Sequence, residues 1–257
     1  MWRDDLVKEI ESYLDFPGHT LDHAERVYSY ARKISETEGG DDDVLYAAAY
    51  LHDIGRAEEK KTGIPHEIIG AEMAGKILYK IGFPEEKIGR VKHAILSHET
   101  YSDIDLGKEP PKYLEDYIIQ DADRLDALGP EGCKRALEYG GRWRPVYDPD
   151  IDRKPLLDMS KLAGDTLIVL ETYIYRYDNG ALLNTETGIE MAREKIAYMR
   201  GFVEGAKLVG QKYYYDPGTD QIVFAAPISD GSQYTCLLYT SDAADEGLGV
   251  DLGGRRI

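Results

Sequence analysis

Apolar positions through the first two hundred residues recur every three or four places, the spacing of amphipathic helices. "DDLVKEIESYL" puts Leu6, Ile10 and Leu14 on one face, and "DHAERVYSYARKI" repeats the device with Val27, Tyr30, Ala31 and Ile34. "GAEMAGKILYKIG" and "EEKIGRVKHAILSH" predict two more helices, punctuated by Gly82, Phe83 and Pro84. "PPKYLEDYIIQDADRLDALG" predicts one or two helices, and "PEGCKRALEYGG" places Pro130 near a first turn, where its missing N–H is tolerated. "GRWRPVYDPDIDRKP" predicts a loop, followed by longer helices over roughly residues 158–177 and 185–209. With no βαβ alternation and no internal repeat, the pattern predicts a single all-α domain. Only "YYYDPGTDQIVFAAP" has strand-like content and predicts a short terminal ribbon.

The most apolar of these segments, "AAAYLHDIGRAEEK", runs straight into His52 and Asp53. Burying two such groups unpaired costs about 1–3 kcal/mol for the neutral one and far more for the carboxylate. A bound divalent cation removes that cost. All six histidines (His19, His23, His52, His66, His93, His98) fall in the first hundred residues. His23 lies in the preceding helix, and Asp121 stands where another hydrophobic run meets a carboxylate. Two imidazoles and two carboxylates form a mixed nitrogen and oxygen set suited to manganese, magnesium, iron, cobalt or nickel. The two cysteines, Cys133 and Cys236, supply neither a structural zinc site nor a disulfide framework.

The 257 residues carry a net charge of −17, which argues against long nucleic acids as partners because the field repels a polyphosphate. No apolar run reaches the roughly 20 residues of a membrane span, and "MWRDDLVKEIESYL" lacks the order of a signal peptide. The expectation is a cytoplasmic protein without a membrane partner.

Residues 236–257, "CLLYTSDAADEGLGVDLGGRRI", have no helical or strand period and resemble the conceptual translation of a transposon-type sequencing adapter. The resemblance implies a gene assembled from environmental or shotgun reads, with the native frame lost near Thr235. Without this tail's four acids (Asp242, Asp245, Glu246, Asp251) and two bases (Arg255, Arg256) the body stays acidic.

The order His23, His52-Asp53, Asp121 resembles the H...HD...D signature of the HD-domain metal-dependent phosphohydrolases. The surroundings "GHTLDHAERVYSYA", "AAAYLHDIGR", "IGAEMAGKIL", "AILSHETYS", "IIQDADRLDALGPEGCKRA" and "LLNTETGIEMAREKIAYMRGFV" are similar to segments of its small prokaryotic branch. The resemblance implies an HD-domain helical bundle over residues 1–210, followed by an extension (211–235) and the tail (236–257). It implies one divalent metal held by His23, His52, Asp53 and Asp121, and hydrolysis of a phosphoester or phosphoanhydride bond in a small phosphorylated substrate, nucleotides first. Such a cation would acidify a water that Asp53 helps orient.

Arg56, Lys60, Lys61 and Arg124 are the expected cations for phosphoryl oxygens, with His19 at the pocket mouth. Lys60 and Lys61 suit a solvated charge run equally well. Asp126 is expected to hold the helix or a ligand histidine in place, whereas Asp123 is expected on a different helix face. His66 and His98 resemble second-metal ligands of the HD-GYP branch, but Ser97 replaces one histidine of the usual pair and "GYP" is absent. The expectation is a weak or absent second site, with His66 and His98 catalytic as phosphate binders or general acid. The alternative for both, stronger for His66, is a solvent-facing helix start. Two other readings of the whole chain stay open: a di-iron HD-domain oxygenase and a non-catalytic metal-stabilised ligand-binding module.

Overall fold

Asp41 opens the most buried helix, its Oδ1 accepting the Asp43 and Val44 backbone N–H groups as an N-cap. That helix, α3 (Asp42–Leu51), buries every residue from Val44 to Leu51, and its three consecutive alanines let neighbours approach closely. Around it pack α1 (Trp2–Ile10), α2 (Leu21–Glu38), α5 (His66–Lys80), α6 (Glu85–Ser97) and α7 (Leu114–Asp126). Leu6, Ile10, Val27, Ala31 and Ile34 are fully buried as their spacing predicts, whereas Tyr30 is half-buried and gives its hydroxyl oxygen to Lys195 Nζ. Each fully buried leucine or isoleucine contributes about 1.5–3 kcal/mol of transfer free energy. A two-residue ribbon, β1 (Asp15–Phe16) with β2 (His19–Thr20), leads into α2. The short helix α4 (Arg56–Thr62) joins α3 to α5 and closes on Gly63, whose φ of 72° is left-handed.

The computed structural model describes residues 2–16, 19–100, 108–140, 145–151, 164–178, 182–208, 210, 212–216, 221–224 and 235–238. Two compact units divide the chain, one of residues 1–128 with 179–195 and the other of 129–178 with 196–257. The first holds α1 to α7 and the start of α10 (Glu186–Lys207). The second holds α8 (Gly129–Gly140), α9 (Thr166–Asp178), the rest of α10, and an antiparallel sheet of β3 (Tyr213–Asp216), β4 (Gln221–Phe224) and β5 (Thr235–Leu238). The architecture is all-α, with strands among the described residues confined to these ribbons. Among the described residues no helix is long and apolar enough to cross a membrane.

Three local differences from the sequence pattern have physical causes. The helix expected from about residue 158 begins at Thr166. Gly164 takes φ 126° and Asp165 caps the first turn through Oδ1 on the Ile168 N–H; residues 158–163 lie outside the described residues. Within the expected loop, Tyr147 pairs with Tyr213 by a β-bridge. The ribbon gains a third strand from Thr235–Leu238, so the first residues of the adapter-like segment pair with β4 although no strand period marks them.

Candidate metal centre

Gly55 sets the site's geometry. A Cβ there would stand 2.3 Å from the His66 carbonyl oxygen and 2.9 Å from the Gly70 nitrogen, so only glycine lets α5 abut the turn that follows α3. His52 and Asp53 end α3 on that turn, both buried, while α2 brings His23 and α7 brings Asp123. His52 Nδ1 lies 2.8 Å from the Ala49 carbonyl oxygen, and His23 Nδ1 lies 2.7 Å from Asp126 Oδ2. Each neutral ring therefore donates through Nδ1 and turns Nε2 inward as an acceptor. The two Nε2 atoms are 3.2 Å apart. Asp53 Oδ2 is 3.1 Å from His52 Nε2 and 3.5 Å from His23 Nε2, and Asp123 Oδ1 is 3.3 Å from His23 Nε2.

Four converging acceptors repel one another unless a cation joins them. Ligands about 2.1 Å from one ion and at right angles stand about 3.0 Å apart, so the spacing fits a divalent metal. In the metal-free protein a proton answers the same need. Burial opposes a charge on His23, but hydrogen bonds to Asp123, Asp126 and Asp53 outweigh it and hold the ring well above its ordinary value. Burial likewise opposes a charge on His52, and Asp53 beside it raises the ring overall.

Asp53 faces a second cluster with its other oxygen. Asp53 Oδ1, His66 Nε2 and His98 Nε2 are close enough to share an ion, with His66 Nε2 3.3 Å from His98 Nε2 and 3.5 Å from Asp53 Oδ1. Glu99 Oε1 stands 3.6 Å from His66 Nε2. His98 Nδ1 bonds the Ile95 carbonyl, 2.7 Å away. His66 Nδ1 lies 3.2 Å from Glu59 Oε2 and 3.4 Å from Glu67 Oε2 without hydrogen-bond geometry to either. This cluster already contains a cation. Arg56 donates Nε to Asp53 Oδ1 at 2.8 Å and Nη2 to Glu99 Oε1 at 2.6 Å. Burial, His98 and Arg56 push His66 down to about 3, and burial and His52 lower His98.

Asp121 is the chief departure from expectation. Its Oδ1 accepts the Asn184 backbone and side-chain N–H groups, both at 2.8 Å, and its Oδ2 accepts the Thr185 N–H and Oγ1–H, both at 2.8 Å. The carboxylate anchors the turn that starts α10. Asp123, expected on another face, is the α7 carboxylate that meets His23. Asp126 takes the outer position anticipated for it, bonded to His23 Nδ1 and, through Oδ1 at 2.6 Å, to Arg26 Nε.

His66 and His98 are buried, which overturns the solvent-facing alternative. Arg124 donates to the Leu182 and Thr100 carbonyl oxygens, Lys61 to Glu58, and Lys60 is exposed. The His19 side chain lies outside the described residues. Glu59 and Glu99 were not legible as site residues, although Glu99 adjoins His98 in sequence.

The HD domain family matches residues 20–128, which span His23, His52, Asp53 and Asp123. An uncharacterized protein of Clostridium beijerinckii is 36% identical over 93 residues, 35% of this chain and 59% of that protein's length. YpgQ of Bacillus subtilis is 28% identical over 188 residues, 72% of this chain and 82% of YpgQ. The crystal structure of YpgQ in complex with ADP has a TM-score of 0.60 at 24% identity, covering 80% of this chain and 94% of that one. An HD-superfamily hydrolase from Bacillus thuringiensis has a TM-score of 0.60 at 28% identity, covering 81% and 96%. Residues 20–128 thus match the HD domain family, and their histidine and HD positions gather at one centre, in a fold similar to that of the Bacillus thuringiensis HD-superfamily hydrolase.

Proposed function

We propose that this chain hydrolyses a phosphoester or phosphoanhydride bond of a small phosphorylated molecule, a nucleotide first among them. The observation that carries the reading is the convergence of His23 Nε2, His52 Nε2, Asp53 Oδ2 and Asp123 Oδ1, an all-acceptor set beside the Arg56 guanidinium. In this reading those four residues hold one divalent cation, manganese, magnesium, iron, cobalt or nickel, with Asp123 in the place first assigned to Asp121. When bound, such a cation acidifies a water and polarises a phosphoryl oxygen.

The remaining residues define what the chain itself contributes. Asp126 orients His23 and fixes its tautomer. Asp53 turns Oδ2 to His23 and His52, where it would help hold the cation and accept a hydrogen bond from a bound water, and Oδ1 to Arg56. Arg56 Nη1, 3.9 Å from Glu59 Oε2, can meet a nonbridging oxygen. His66 and His98, held neutral, are better placed to accept a hydrogen bond at Nε2 than to act as the general acid first expected of them. The nucleotide preference draws on YpgQ, a relative solved with ADP.

The deciding experiment is a panel of nucleoside di- and triphosphates, phosphomonoesters and phosphodiesters, scored for phosphate or pyrophosphate release with and without Mn²⁺. Metal-dependent turnover of at least one class, lost in Asp53→Ala, is the expected result. No release from any class, together with oxygen consumption by iron-loaded protein, would replace this reading with the oxygenase one. In the same assay His66→Ala and His98→Ala should lower turnover more than metal content.

A further inference from the structure

We propose that Arg56 is a resident cation that keeps the centre mononuclear, and that the Asp53, His66, His98 and Glu99 cluster takes a second divalent ion only when that guanidinium is removed. The inference rests on the reading of the first cluster as a metal site. Its own evidence is the arrangement on the far side of Asp53. Ligand atoms of Asp53, His66 and His98 lie close enough together to share an ion, with His66 Nε2 3.3 Å from His98 Nε2 and 3.5 Å from Asp53 Oδ1, and Glu99 Oε1 stands beside them, 3.6 Å from His66 Nε2. Donor type and spacing therefore suit a divalent ion.

The two carboxylate oxygens of that set are the two that Arg56 engages, through Nε at 2.8 Å and Nη2 at 2.6 Å. A guanidinium cannot lose its proton at any working pH, and its planar fork is fixed across both carboxylates at once. A dication bonded to Asp53 Oδ1 and Glu99 Oε1 would displace those two hydrogen bonds and stand against a like charge. The two histidines alone, neutral and facing each other, are too few ligands to offset that. Arg56 thus occupies electrostatically the position that a second metal would fill, and it presents to a phosphoryl oxygen one positive charge where the metal would present two.

The test is metal stoichiometry, read independently of hydrolysis. Chelator-stripped wild type, Arg56→Ala and the double variant Arg56→Ala/His66→Ala are reloaded with Mn²⁺, dialysed and assayed by elemental analysis and electron paramagnetic resonance. The expected result is one equivalent with an isolated-ion spectrum in wild type. Arg56→Ala should hold two equivalents with an exchange-broadened spectrum, and the double variant should return to one. Two tightly held equivalents in wild type, or one in folded Arg56→Ala, would overturn the proposal. Arg56→Gln, which keeps part of the stem and a donor without the charge, replaces Arg56→Ala if circular dichroism shows the latter unfolded, and the same two-equivalent result is expected of it. A protein that hydrolyses nothing yet passes from one equivalent to two supports this inference while overturning the activity reading.

Discussion

The two sides of Asp53 are built from the same kinds of residue and behave as opposites. On one side His23 and His52 face Asp53 and Asp123, with Asp126 behind, and both rings are pulled toward protonation. On the other, His66 and His98 share Asp53 with Glu99, yet both rings are pushed toward neutrality. Burial lowers both of these rings, helped by His98 and Arg56 at His66 and by His52 at His98, and the Arg56 guanidinium already engages the carboxylates of this side. A histidine pair with carboxylates does not by itself define a metal site. What counts is whether the local charge is already balanced, and the unbalanced side is the one proposed to hold the cation.

Removing the shared carboxylate should break the comparison most completely. Asp53→Ala takes one oxygen from each side and releases Arg56 from its main partner. Metal and hydrolysis should both be lost, by more than the roughly 100-fold that losing an outer partner costs, while helical content stays largely intact. A full equivalent of metal surviving dialysis of this variant would sink the assignment.

The next test separates two carboxylates of α7. Asp123→Ala should lose the metal with little change in melting temperature, because its side chain is half-buried and engaged at the centre. Asp121→Ala should keep the metal but lose about 1–3 kcal/mol of stability, since four donors at the start of α10 lose their acceptor. Equal metal loss in both variants would restore Asp121 to the centre.

That pair also marks how far the sequence could be read. The helical period located α1, α2 and α3, and the apolar run of α3 into His52 and Asp53 located the site, because both signals are local. The choice between Asp121 and Asp123 is not local. They stand about 200° apart around one helix, and which face meets the histidines depends on the Asn184–Thr185 turn, some sixty residues on, which absorbs Asp121. The same holds for Arg124, expected near the phosphate because it lies one helical turn from Asp121, but used by the fold on the Thr100 and Leu182 carbonyls. His93 had no acidic neighbour in sequence, yet α7 brings Asp116 Oδ2 to 2.7 Å from its Nδ1. Glu99 follows the end of α6, where no period says which way a side chain points.

A smaller effect sharpens the contrast from behind the centre. Asp126→Asn keeps the size of the group but weakens its hold on His23 Nδ1 and on Arg26. Metal affinity should fall about 10- to 100-fold, measured by competition with a chelator, and the Arg56 contacts should be untouched. An affinity within twofold of wild type would show that His23 needs no carboxylate behind it.

The smallest effect distinguishes the two sides by their protons. His23 is raised above 6.5 in the folded, metal-free chain, so its contribution to stability is full below that pH and is lost as pH climbs through the folded value. His66, lowered to about 3, acts in the opposite sense: the folded state binds fewer protons than the unfolded one, so stability falls as pH drops from 6.5 toward 3. Metal entering beside His23 and His52 at pH 7 must therefore displace a proton, whereas a second ion beside His66 and His98 need not. Calorimetric titration of Mn²⁺ in buffers of different ionisation enthalpy should show about one proton released with the first equivalent. The second equivalent, seen in Arg56→Ala, should show almost none. A first equivalent whose heat is independent of buffer would mean that the two sides hold their protons alike, and the electrostatic contrast across Asp53 would be lost.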